Sequence, residues 1–140
     1  MFKIESRYDK VENIAYSKMI GKPESEKDVY DNYLNVVNAE DSGCDFRTWA
    51  INDITYMEIT APRLVSLYHE LILPYSKANV YDFAIVCSNT FQRIITHLFN
   101  VLNRNKRPIF ETVEGARVWI LKRQEQVGRF PKKSETDFQG

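Results

Sequence analysis

A chain of 140 residues with 44% hydrophobic and 13% aromatic content can bury one full core and is too apolar for a disordered chain. Nineteen Lys and Arg balance nineteen Asp and Glu, so no overall field draws nucleic acid or an anionic membrane. No apolar run approaches the roughly 20 residues of a bilayer span, and the opening MFKIESRYDK lacks the apolar core of a signal peptide.

Residues 2–7 alternate, with Phe2 and Ile4 against Lys3 and Glu5, which predicts a half-buried strand. Tyr8-Asp9-Lys10 supplies a turn, and residues 11–20 read as the returning strand, ended by Gly21. Pro23 introduces a helix in which Ser25 caps an acidic first turn at Asp28. Val29, Tyr33, Val36 and Val37 recur along it at helical spacing, and it should stop near residues 38–43.

A second strand–turn–helix unit fills residues 45–75: a strand at 46–51, a polar connection at 52–60, and a helix capped by Thr60 with Pro62 in its first turn. Leu64, Val65, Tyr68, Leu71, Ile72 and Tyr75 make its apolar stripe, and Pro74 should stop or kink it. Residues 81–87, YDFAIVC, form the most apolar strand, as a central parallel strand requires. Ser88-Asn89-Thr90 should cap a third helix carrying Phe91, Ile94, Leu98 and Leu102. A short strand at 108–112 leads into a last helix capped by Thr112, with Ala116, Trp119 and Ile120 on its apolar side.

The resulting order is β-β-α-β-α-β-α-β-α, an α/β fold with a mostly parallel five-stranded sheet and four helices. One domain is expected over residues 1–123, with a polar tail over 124–140. If the strands lie in sequential order, right-handed crossovers place every helix on one face. The other face would then be covered by a second copy, so a homodimer is expected.

Cys44 and Cys87 offer neither a CxxC motif nor a disulfide framework, and Cys87 in an apolar strand suits a free thiol in a reducing, cytoplasmic setting. His69 and His97 fall mid-helix, where they read as boundary residues and not as general bases. No HExxH, GxSxG or Gly-rich phosphate loop is present, so neither an enzyme nor a cofactor or metal site is expected.

Several local patterns resemble the STAS / SpoIIAA-like group, whose members include anti-sigma factor antagonists. The resemblance runs over roughly residues 2–122: the hairpin ending in MIGKP, the Asn52-Asp53 strand exit, the DFAIVC strand, and PIFETVEGARVWI, which is similar to the ending of the SEC14-related branch. Switching members of the group carry a phosphorylatable serine in an Asp-Ser-Ser-Gly-like run at the start of the helix after the third strand. Here the run is Met57-Glu58-Ile59-Thr60-Ala61-Pro62. Glu58 matches the acidic position, Ile59 stands where the serine would be, and Thr60 follows. Thr60 reads first as a helix cap; it is also the one residue there that a phosphate could occupy, favoured by a helix N-terminus by about 0.3–1 kcal/mol.

In parallel sheets, ligands gather at the carboxyl ends of the strands. That rim here carries Asp53, Thr55, Tyr56, Glu58, Thr60, Ser88 and Asn89, with Glu111 and Thr112 beyond, and each of its hydroxyls also reads simply as a cap or turn residue. Two functions follow as expectations. The first is a non-enzymatic regulatory module that docks a protein partner at this rim. The alternative is a small hydrophobic ligand or lipid-binding protein, since aromatics such as Tyr16, Tyr33, Trp49 and Trp119 are numerous and the resemblance reaches a lipid-binding branch.

Overall fold

A computed structural model of the protein describes residues 2–58, 62–90, 93, 96 and 108–133. β1 (Phe2–Asp9) and β2 (Ile14–Gly21) form the opening antiparallel hairpin. The turn starts two residues later than the sequence suggests. Asp9 Oδ1 accepts the amides of Val11 and Glu12, each at 3.0 Å, and Asn13 supplies the left-handed residue with φ 59°. α1 (Glu26–Glu40) begins at the predicted cap, where Ser25 accepts from the Asp28 amide.

β3 (Thr48–Met57) is longer than predicted and runs through most of the supposed polar connection. Its polar half stays extended because β2 pairs with it as far as Gly21–Met57, and β4 (Val80–Val86) as far as Asp53. A β-bulge between Lys18 and Ile20 lets β2 follow it. α2 (Pro62–Asn79) likewise passes through Pro74 without stopping. The carbonyl that Pro74 leaves without its helical donor is that of Glu70, an exposed residue that water can solvate. The predicted third helix lies mostly outside the described residues, although Thr90, Arg93 and Thr96 are helical. β5 (Ile109–Phe110) is only two residues long, and α3 (Val113–Val127) starts at the predicted Thr112 cap.

The sheet order is β1-β2-β3-β4-β5, antiparallel at β1 and parallel thereafter. α1 and α2 close right-handed crossovers and lie on one face, where Val36, Val37 and Ile72 pack against Phe2, Ile4 and Met19. Thr48, fully buried, ties both helices down: its hydroxyl lies 3.0 Å from the Glu40 carbonyl and 3.2 Å from the Asn79 carbonyl.

α3 corrects the expectation that all helices share one face. Its Ala116 and Ile120 pack against Ile14, Trp49, Ile51, Ala84 and Val86 on the opposite side. No strand follows α3 among the described residues, so no crossover dictates its side, and the most apolar uncovered surface attracts it. The face that was to be buried by a second copy is therefore largely covered within one chain.

The residues after 123 also differ from the expected tail as far as Lys133. Gln124 is buried and donates to the Glu12 carbonyl at 2.8 Å. Gly128 turns the chain with φ 115°, and the Arg129 carbonyl then accepts from Asn13 Nδ2 at 2.6 Å and Trp49 Nε1 at 3.2 Å. Pro131 and Lys133 pair with Arg47 and Asp45, and Phe130 stacks edge-on against Phe46 at 4.9 Å. Buried donors at Asn13, Arg47 and Trp49, around the starts of β2 and β3, need these carbonyls, which polarity alone does not reveal. Among the described residues no helix is long and apolar enough to cross a membrane.

Candidate functional site

The carboxyl ends of β3, β4 and β5 meet at one edge of the sheet and bring most of the predicted rim together. Asp53 lies between Lys18 of β2 and Val86 of β4. Its Oδ1 accepts the Thr55 amide at 3.0 Å, fixing the strand's last polar turn of direction. Thr55 Oγ1 in turn accepts the Ser88 amide at 3.3 Å and pins the exit of β4 to β3. Both predicted residues are therefore spent on the frame of the rim.

Tyr56 is different. It is 56% exposed, and the Lys18 ammonium sits 4.3 Å from its ring centroid. Glu58 is exposed, while its amide donates to the Gly21 carbonyl at 2.8 Å and so fixes where the carboxylate emerges. Ser88 and Asn89 are exposed. The Asn89 carbonyl accepts the Arg93 amide at 3.0 Å, which makes Asn89 the cap of the helical turn that follows. Thr60 and Ile59, the positions nearest the family serine, lie outside the described residues, as do His97 and the side chain of His69.

Cys87 closes the floor. It is fully buried, its amide donates to the Phe110 carbonyl at 2.9 Å, and its thiol lies 3.6 Å from the Asn89 carbonyl. Burial pushes its pKa up, and the Asn89 contact and Arg93 only partly offset that. A nucleophilic cysteine needs the opposite shift. Across the rim Arg93 is ion-paired with Glu111, and Thr112 Oγ1 accepts the Gly115 amide at 3.0 Å. Lys18 and Arg93 are the rim residues that sequence reasoning passed over. Lys18 could have been found from the alternation of β2, which sends it to the same face as Tyr16.

The rim thus presents an exposed tyrosine backed by a lysine at the end of β3, with Glu58 after it and Ser88, Asn89 and the Arg93–Glu111 pair at the ends of β4 and β5. Among the described residues no three His, Cys, Asp or Glu side chains converge to hold a metal. Trp49 is fully buried against Tyr81 at 4.9 Å, and Phe110 meets Trp119 at 5.9 Å, whereas Tyr30, Tyr56, Tyr75 and Phe130 are exposed.

No protein-family model matches the sequence, and no curated protein matches it. Solved structures do resemble the fold. An uncharacterized protein of the DUF3478 family with a SpoIIAA-like fold, from Shewanella loihica, superposes with a TM-score of 0.64 at 17% identity, over 85% of this chain and 94% of that one. An anti-sigma factor antagonist from Mycobacterium paratuberculosis gives 0.50 at 11% identity, over 86% and 95%. The chain has a SpoIIAA-like fold.

Proposed function

We propose that the protein is a non-enzymatic regulatory module that docks a protein partner at this rim, with Tyr56 as its anchor. The observation that carries the reading is the solvent-exposed Tyr56–Lys18 pair at the end of β3, beside a Cys87 too deeply buried to serve as a nucleophile. Tyrosine is among the residue types in which interface binding energy concentrates once a partner buries it. The structural likeness to an anti-sigma factor antagonist supports the same class of role, although a serine-based switch would have to move from Ile59 to its neighbour Thr60.

The test is affinity capture from native cells with wild-type and Tyr56→Ala baits. A partner retained by the wild type and lost with Tyr56→Ala supports the reading. Capture unaffected by Tyr56→Ala and by Lys18→Glu refutes docking at this rim. Thr60→Glu separates the switch from the docking: unchanged affinity removes a phosphate at Thr60 and leaves the surface itself intact.

A further inference from the structure

β1 is the outer strand of the sheet, and no strand lies beyond it among the described residues. In an antiparallel pair, every second residue turns both its N–H and its C=O away from the neighbour. α1 shows which set that is. The Ile4 amide donates to Asn32 Oδ1 at 3.0 Å, Asn32 Nδ2 donates to the Phe2 carbonyl at 3.2 Å, and Asn35 Nδ2 donates to the Ile4 carbonyl at 2.9 Å. Helix amides thus occupy the first half of the edge in place of a strand.

Ser6 and Tyr8 belong to the same outward set, and there the edge opens into a groove of about 520 Å³ between residues 3–8 and the end of α1. Asn38 lines it one turn beyond Asn35, at the spacing of the two amides already bound to backbone, and its side chain makes no hydrogen bond among the described residues.

We propose that this groove receives an extended peptide of a partner protein, added as a short edge strand beside Ser6 and Tyr8 with an acidic residue facing Arg7. The groups on offer recognise main chain: two free pairs of strand N–H and C=O, and a carboxamide placed as its neighbours are. The bound Asn32 and Asn35 limit the added ladder to roughly three to five residues. Charge selects the residue at its centre. Lys3 is neutralised by Glu5 at 3.2 Å, whereas the Arg7 guanidinium lies 4.0 Å from the Tyr16 ring and has no carboxylate partner among the described residues. On the other side of the groove Ala39 leaves room for small side chains. A second copy of this chain fits less well than a bare peptide, because it would bring its own α1 to the same edge.

The test is an amide-resolved NMR titration of the full chain with a blocked pentapeptide, threonine at both ends and alanine–glutamate–alanine between. Saturable shifts at the Ser6 and Tyr8 amides and the Asn38 side-chain amide are expected. A central lysine should weaken binding by about fivefold, and Arg7→Glu should reverse that preference. The proposal is overturned by no shift up to the peptide's solubility limit, by shifts at Thr55 and Ser88 instead, or by equal binding of a peptide N-methylated along its backbone. Because the groove and the rim are read at different amides, failure at one leaves the other standing.

Discussion

Glu40 is the least expected side chain in the molecule, a carboxyl 3% exposed at the last residue of α1. Its Oε1 accepts the Ser76 hydroxyl at 3.0 Å, and burial pushes its pKa up to about 7. The folded state therefore holds the proton more tightly than the unfolded chain, whose carboxyl titrates near 4.5. The contribution is intact below about 4.5, is lost as the pH rises to about 7, and changes no further above that. Glu40→Gln should remove this slope and stabilise the protein at pH 8 by on the order of 1–3 kcal/mol, read from urea midpoints at pH 5 and 8. Asn13 makes the opposite case. It is fully buried with φ 59°, donates to the Arg47 and Arg129 carbonyls, and accepts the Tyr8 hydroxyl at 2.6 Å. Asn13→Ala should cost about 2–4 kcal/mol in chemical denaturation, since it leaves buried partners unsatisfied and adds strain at a left-handed position.

At the level of elements, α3 and the segment after it act on the β1–β2 turn as one clamp. Arg117 binds both oxygens of Glu12, its Nε at 2.9 Å, and holds that carboxyl below the usual range. Arg129 reaches Gln124 at 3.1 Å and the Val11 carbonyl at 3.3 Å. Truncation after Val127 should leave the Trp49 indole without its acceptor and Asn13 Nδ2 with the Arg47 carbonyl alone, and should lower the melting temperature by more than about 5 °C in a thermal scan. Local pattern made the scaffold legible: Val29, Val36 and Val37 of α1, Leu64 and Ile72 of α2, and the Ser25 and Thr112 caps stand where spacing put them, whereas Tyr75 of the predicted α2 stripe is exposed. It could not reveal that β3 continues through Asn52-Asp53-Ile54-Thr55, because a strand that overhangs its helices has no apolar period to read. Nor could it place α3, whose side is decided by which surface remains uncovered. The polar contacts of Gln124 and Arg129 span more than a hundred residues and leave no local mark.

For the whole molecule, the two ends of the sheet divide the work. The amino ends of the parallel strands are locked by buried hydrogen bonds, while the carboxyl ends carry the exposed groups. Tyr56→Ala should accordingly change stability by less than about 0.5 kcal/mol while abolishing partner capture, a separation measured by running both assays on one preparation. The candidate rim was only partly legible. Asp53 and Thr55 are frame, Tyr56 is surface, and the distinction rests on pairing partners that lie 33 and more residues away in sequence. The bond from Asn13 to Arg129 spans 116 residues. A chain emerging from the ribosome therefore completes its opening hairpin long before the clamp for that hairpin exists. Until residue 129 is free, Trp49 and Asn13 lack the acceptor they share, and until α3 is made the nascent sheet carries one bare apolar face.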